Sequence, residues 1–118
     1  MAKEYYRSDK YPIVFETTDP LNRPIKLLEI TQKKVTDKRP QLHGEVGKVI
    51  DCIESPDVIA KDKHYPDSTQ NYYKEHGDIA FTDMHKIMKV SVDVDNYRVK
   101  TYYTTFRVNP KDEIFWTQ

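Results

Sequence analysis

One segment of the chain places cations and hydroxyl groups together on a predicted β-strand. Residues 97–106 alternate as a strand does, with successive side chains on opposite faces. The predicted faces carry Thr101, Tyr103 and Thr105 on one side, and Arg98, Lys100, Tyr102 and Thr104 on the other. Cations beside hydroxyls on a rigid sheet can hold a phosphodiester and stabilise charge on its oxygens. An ordinary solvated strand face would show the same pattern.

Cleavage of RNA would need few further groups. A base takes the proton of the ribose 2′-hydroxyl, a cation binds the phosphate, and an acid protonates the leaving oxygen. Lysine and tyrosine can fill these roles where histidine is absent, at a cost in rate near neutral pH. This strand is therefore a candidate site for phosphodiester chemistry.

The histidines give a weaker signal. His64, His76 and His85 fall within 22 residues of sequence, together with Asp78 and Asp83, which makes a metal site one hypothesis. Their spacing matches no closed ligand set, and polar loops commonly carry such residues. We therefore expect no bound metal and no cofactor.

The composition predicts one folded domain with a thin core. The chain has 118 residues, of which 37% are hydrophobic, with nine Tyr, four Phe and one Trp. Tyrosine can bury its ring while its hydroxyl stays hydrogen-bonded, so such residues can build a modest core. We expect a loose arm at residues 1–10 and a single α+β domain at residues 11–118.

No membrane segment or export signal is expected. The chain contains no run of 18 apolar residues, and its N-terminus has no apolar stretch behind the first charges. The single Cys52 cannot form an intramolecular disulfide and is expected to pack in the core rather than act as a nucleophile. A cytoplasmic protein is predicted, as a monomer or a homodimer.

The charges are uneven although their sum is zero. Residues 1–40 carry nine Lys/Arg against six Asp/Glu, residues 41–85 carry four against nine, and residues 86–111 carry six against two. Two basic segments thus flank an acidic middle. If they share a face, a phosphate backbone could bind there; alternatively, opposite patches pair within the fold or in a dimer.

The first half of the chain predicts strands followed by helices. Tyr11–Thr17 is rich in strand formers, and Ile25–Ile30 fits either a second strand or the start of a helix. Thr31 can cap a short helix through Lys38, which Pro40 would stop. A second helix is predicted over Gln41–Ile53, with a start near Glu45 as the alternative because of Gly44 and Gly47.

The second half predicts an antiparallel sheet. Lys86–Val94 and Tyr97–Val108 form a hairpin, in which Asp95-Asn96 is the expected two-residue connection. Met88, Val90, Val92 and Val94 alternate with polar residues, so one buried face and one solvent-exposed face are expected. Shorter strands are expected after Pro56, around Tyr72 and at Glu113–Trp116.

Several segments, in order, resemble the phage-associated nuclease domains of the barnase, EndoU, colicin and RelE-like superfamily. The matching segments are Lys38-Arg-Pro-Gln-Leu42, Ile53-Glu-Ser-Pro-Asp-Val-Ile59, Asn71-Tyr-Tyr-Lys74, Val99-Lys-Thr-Tyr-Tyr-Thr104 and Ile114-Phe-Trp116. The resemblance spans roughly residues 25–116. Where the family has two histidines this chain has Lys34 and Arg39, and Gln41 replaces a family glutamate.

The resemblance implies a fold, an activity and a site. The fold would be α+β, with two N-terminal helices packed on a four- or five-stranded antiparallel sheet. The activity would be that of a small, metal-independent, RNA-directed nuclease or toxin, with RNA and a host or immunity protein as partners. The alternative is a non-catalytic phage or mobile-element protein that binds a host protein or nucleic acid. The implied catalytic residues are Lys34, Arg39, Thr101 and Tyr103, and the implied substrate-binding residues are Lys38, Tyr72, Tyr73, Arg98, Lys100 and Thr104.

Overall fold

Two strands, two helices and five further strands follow one another in the computed structural model, which describes residues 11–76 and 86–118. The strands are β1 (Ile13–Thr18), β2 (Pro24–Leu28), β3 (Val58–Lys61), β4 (Thr69–Glu75), β5 (Ile87–Asp93), β6 (Arg98–Thr105) and β7 (Glu113–Thr117). The helices are α1 (Glu29–Lys38) and α2 (Val46–Glu54), with a 3₁₀ turn at Pro40–Leu42. The predicted arm at residues 1–10 lies outside the described residues.

The seven strands form one mixed sheet in the order β1-β2-β6-β5-β4-β3-β7. Neighbouring strands are antiparallel except β2 and β6, which run parallel and meet at the single pair Lys26–Arg98. The prediction of two helices on a four- or five-stranded antiparallel sheet is therefore wrong. That prediction rests on motifs that begin near residue 25. It therefore does not include the β1–β2 hairpin, which adds two strands to the sheet through a parallel contact with β6.

The β1–β2 hairpin is tied to the middle of the sheet by a buried carboxylate. Asp19 lies in the turn and accepts hydrogen bonds from the backbone N–H groups of Leu21 and Arg23 and from the Arg23 guanidinium. The Tyr72 hydroxyl on β4 also donates to Asp19, at 2.5 Å, and accepts from Arg23 at 3.0 Å. The buried charge is thus paired and fully hydrogen-bonded, as burial requires.

The segment Ile25–Ile30 contains both of the structures that were predicted as alternatives, first a strand and then the start of a helix. It is a strand as far as Leu28, whose backbone is extended, and a helix from Glu29 onward. The helix ends at Lys38 because Arg39 precedes Pro40, and a residue before proline avoids the helical region. Arg39 accordingly turns away from the helix axis with φ −131° and ψ 77°.

Helix α2 begins at Val46, which confirms the later of its two predicted starts. Gly44 has φ +84°, a left-handed conformation that no helix can continue through. Val49, Cys52 and Ile53 then pack into the core. Cys52 is fully buried, and burial raises the pKa of its thiol well above the usual value, so it packs as a core residue. Among the described residues no helix has the length and apolarity to cross a membrane.

The core lies on one face of the sheet, beneath α2. In β5, Met88, Val90 and Val92 point into it, as their alternation predicts. Tyr72 on β4 and Tyr102 on β6 lie on either side of Val90 and are completely buried. Tyrosine rings therefore contribute much of this core, which agrees with the low hydrophobic content.

Strand β6 contains one residue more than its partner β5. Val99 lies opposite Val92 and Thr101 opposite Ser91, which leaves Lys100 as the extra residue of a β-bulge. The bulge breaks the alternation predicted for this strand. Lys100 and Thr101, predicted on opposite faces, both lie on the face away from the core, which we call the open face.

The hairpin connection is longer than predicted. It spans four residues, Val94–Tyr97, and the positive φ of 53° occurs at Tyr97 rather than at Asn96. The Asp93 carboxylate accepts hydrogen bonds from the Asp95 backbone N–H and from the Asn96 side chain, which stabilises the turn.

Substitution at two glycines tests the start of α2. Gly47 lies in the first turn, and a methyl group there would meet no other atom within 4 Å. We expect Gly47→Ala to raise the free energy of unfolding by roughly 0.5–1 kcal/mol, because alanine is the better helix former. Gly44→Ala should lower it by about 1 kcal/mol, because an L-residue is strained at positive φ. Urea denaturation measures both, and equal effects would contradict a start at Val46.

Candidate functional site

A groove of about 380 Å³ runs between the C-terminal half of α1 and the bulged strand β6. We call it the basic groove. Its lining residues are Lys34, Val35, Lys38, Arg39, Lys100, Thr101 and Tyr103. Six of the ten predicted site residues therefore lie together, including all four that the resemblance implies to be catalytic. The two walls come from chain segments about 60 residues apart.

The helix wall carries three cations. Lys34 and Lys38 are one helical turn apart and so lie on the same side of α1. Arg39 follows the helix, and its backbone before Pro40 is no longer helical. Its guanidinium carbon lies 5.0 Å from the centre of the Tyr103 ring, a cation–π contact.

The strand wall carries hydroxyls and one more cation. The Lys100 ammonium donates to the Thr69 hydroxyl at 2.9 Å and lies 5.2 Å from the centre of the Tyr65 ring. Because of the bulge, Lys100 lies on the same open face as Thr101. Every charged residue that lines the groove, within the described part of the chain, is therefore positive.

Tyr103 has cationic contacts at its ring and at its hydroxyl. Lys89 lies opposite it on β5 and donates a hydrogen bond to the Tyr103 oxygen at 3.0 Å. A phenol oxygen that accepts in this way still has its own proton to donate. Lys89 is a site residue that the sequence reasoning missed, because regular pairing across the predicted turn would place it opposite Tyr102, and only the bulge at Lys100 moves it opposite Tyr103.

Four predicted site residues lie elsewhere. Tyr72 faces the core, and its hydroxyl belongs to the Asp19 network. Thr104 lies opposite Met88, which faces the core, so it is on the wrong face of the sheet. Arg98 lies where β6 meets β2 and lines a separate, more apolar cavity. Tyr73 is on the open face but is 1% exposed.

The Tyr73 hydroxyl is hydrogen-bonded to a buried carboxylate. It donates to the Asp112 carboxylate at 2.6 Å, and the Asn71 amide donates to the same oxygen at 2.8 Å. Burial, together with the Asp112 charge, raises the pKa of Tyr73 far above its usual value. Tyr73 therefore stays protonated at neutral pH and cannot act as a base there, so its role is to hold Asp112.

A second cavity, of about 320 Å³, adjoins the basic groove across Tyr103. We call it the loop cavity, because the connection between β6 and β7 forms its outer wall. Its lining residues are Lys63, Tyr73, Lys89, Tyr103, Thr105, Phe106, Arg107, Asn109, Pro110 and Lys111. Sequence reasoning did not identify Lys63, Arg107 or Lys111 as site residues. They lie in connections between strands, and no local sequence pattern shows where such connections run relative to the sheet.

None of the histidines that the structure describes lines the groove. His43 lines a different cavity beside α1, His64 packs against the exposed Tyr65, and His76 lies 3.8 Å from Asp51. Within residues 11–76 and 86–118 no cluster of three or more His, Cys, Asp or Glu is placed to hold a metal ion. His85, Asp78 and Asp83 of the metal hypothesis lie outside those ranges.

Comparison of the chain with protein-family models, with curated proteins and with solved structures finds no match. The relation to the barnase, EndoU, colicin and RelE-like superfamily stays a prediction.

The buried tyrosines predict a loss of stability at alkaline pH. Because the pKa of Tyr73 is higher in the folded than in the unfolded chain, its contribution is complete below the unfolded value of 10.0 and is lost as the pH rises above it. We expect Tyr73→Phe to lower the unfolding free energy at pH 7 by roughly 1–3 kcal/mol, since Asp112 loses a donor. The variant should also show a shallower decline above pH 10.

Urea denaturation at pH 7, 9 and 11 measures both effects. Tyr65→Phe is the matched control, because that ring is 62% exposed and its hydroxyl is no part of the Asp112 network. Equal alkaline slopes for the wild type and Tyr73→Phe would contradict the assignment.

Proposed function

We propose that the protein is a small RNA-directed nuclease that cleaves in the basic groove. One observation carries the proposal: the candidate catalytic groups of α1 and β6, distant in sequence, line a single groove whose charged lining residues are all positive. Such a groove is complementary to a phosphodiester backbone. RNA is the partner that this charge favours, and a cytoplasmic location, as expected from the sequence, would give access to it.

The chemistry follows from the positions of these groups. The 2′-hydroxyl oxygen would attack the adjacent phosphorus, forming the O2′–P bond and breaking the P–O5′ bond. Arg39 and Lys38 would stabilise the charge that develops on the non-bridging oxygens, as paired cations do in preorganised sites. This leaves one group to take the 2′ proton and one to protonate O5′.

Lys34 and Tyr103 would divide these two proton transfers. Lys34 stands where the resembling family has a histidine, so it is our candidate for the base that takes the 2′ proton. The Tyr103 hydroxyl, with the Lys89 ammonium hydrogen-bonded to its oxygen, would give a proton to O5′. Thr101 would orient the phosphate between them. A general base acts only when it is unprotonated, so the rate should increase with rising pH.

Variants at Arg39 and on the neighbouring helix α1 test the nuclease directly. We expect wild-type protein to cleave a single-stranded RNA oligonucleotide in the presence of EDTA and to leave a 2′,3′-cyclic phosphate. Arg39→Gln should reduce kcat/KM by roughly 100-fold or more, the loss typical of one charge-stabilising donor. Lys33→Gln is the control, because Lys33 is on the same helix but pairs with Asp37 away from the groove.

Two results would argue against this function. Intact RNA at micromolar protein would exclude the nuclease, and cleavage of an all-deoxyribose strand would exclude attack by a 2′-hydroxyl. Loss of activity in Lys33→Gln equal to that in Arg39→Gln would show that net charge, rather than the groove, is responsible.

The second candidate is an RNA-binding protein that does not cleave. It is favoured by the lining of the groove, to which the described part of the chain contributes four cations but no histidine. In this case a fluorescent RNA should bind with a salt-dependent Kd and remain intact. Arg39→Gln should lower the slope of log K against log salt by about 1, since one phosphate contact is lost.

A further inference from the structure

The loop cavity has the chemistry of a second nucleotide-binding site. Four of its lining residues are cations, Lys63, Lys89, Arg107 and Lys111, and within the described residues no carboxylate lines it. Its volume, about 320 Å³, lies within the range of roughly 300–1,000 Å³ usual for small-ligand sites. Charge complementarity therefore favours a phosphate-bearing occupant here as well.

An aromatic ring stands at the rim of this cavity. Phe106 lines the cavity and is 60% exposed, with the Arg107 guanidinium 5.4 Å from its ring centre. An exposed ring beside cations is the combination that binds single-stranded nucleic acid, since bases stack on the ring while the cations follow the backbone. A base inside a duplex would be unable to reach the ring because its faces are already stacked.

The cavity wall is preformed. The Asp112 carboxylate ends the β6–β7 connection and is anchored on β4 by Asn71 and Tyr73. The same carboxylate accepts a hydrogen bond from the Lys63 backbone N–H at 3.0 Å. The Asn109 side chain closes the turn before it by accepting from the Lys111 backbone N–H at 2.9 Å. Two of the cations thus sit on backbone that the buried acid fixes, so little ordering is needed on binding.

The two cavities share a wall residue. Tyr103 lines both, and Lys89, which bonds to its hydroxyl, lines the loop cavity. We propose that the loop cavity binds the nucleotide next to the one held in the basic groove, and that the ligand is therefore single-stranded RNA of two or more nucleotides. This role rests on the nuclease or RNA-binding function proposed above.

Binding of uncleavable RNA tests the second site separately from catalysis. The probes are fluorescein-labelled 2′-O-methyl RNAs, namely a mononucleotide, a single-stranded tetranucleotide and a blunt duplex, measured by fluorescence anisotropy. The wild type should bind the tetranucleotide more tightly than either the mononucleotide or the duplex.

Phe106→Ala should weaken tetranucleotide binding by roughly 5- to 100-fold, the loss expected for one base–aromatic stack, and should leave mononucleotide binding unchanged. Lys111→Gln should reduce the salt slope for the tetranucleotide by about 1. The matched controls are Phe115→Ala, an exposed phenylalanine on β7, and Lys33→Gln, and both should bind as the wild type does. Thermal melting of each variant confirms that it is folded.

The outcomes separate the two proposals. If wild-type protein cleaves or binds RNA but Phe106→Ala and Lys111→Gln bind the tetranucleotide normally, the second site is wrong and the proposed function stands. Duplex binding as tight as single-strand binding would also overturn the second site. If the wild type neither binds these probes nor cleaves RNA, the proposed function fails, and the second site fails with it.

Discussion

The extra residue at Lys100 in β6 is the constraint on which the rest of the site depends. A one-residue shift of register moves every later side chain to the opposite face of a sheet. Here Val99 and Tyr102, three residues apart, both pack in the core, which is compatible only with a bulge between them. Core burial therefore fixes the bulge, and the bulge in turn aligns Lys100 with Thr101 on the open face.

The two faces of the sheet explain how so polar a chain folds. The core face is covered by α2 and filled largely by aliphatic side chains and by Tyr72 and Tyr102. On the open face, buried side chains are hydrogen-bonded rather than apolar: Asn71 donates to Asp112 and accepts from Ser91. A satisfied polar network can be buried at little net cost, so 37% hydrophobic residues are enough.

The sequence predicts local features well and long-range ones poorly. The β5–β6 hairpin and the later of the two candidate starts of α2 follow from periodicity and from glycine and proline signals. Six of the ten candidate site residues line one groove, but their roles stay predictions. The parallel pair Lys26–Arg98 and the course of the β6–β7 connection cannot be read from local pattern, because both depend on segments distant in sequence. Adjacent Tyr72 and Tyr73 point to opposite faces, and composition alone does not show which one enters the core.

The backbone contact between β2 and β6 is narrow, so side chains hold the β1–β2 hairpin to the rest of the sheet: the Asp19–Tyr72–Arg23 network and the buried Ile25 and Leu27. Sub-global opening of the hairpin would therefore require the loss of these side-chain contacts. Helix α1 follows β2 directly, so opening would carry Lys34 and Lys38 away while β6 stays in the sheet. An RNA strand held between the two walls would oppose that opening, so occupancy of the groove and amide exchange in the hairpin are thermodynamically linked.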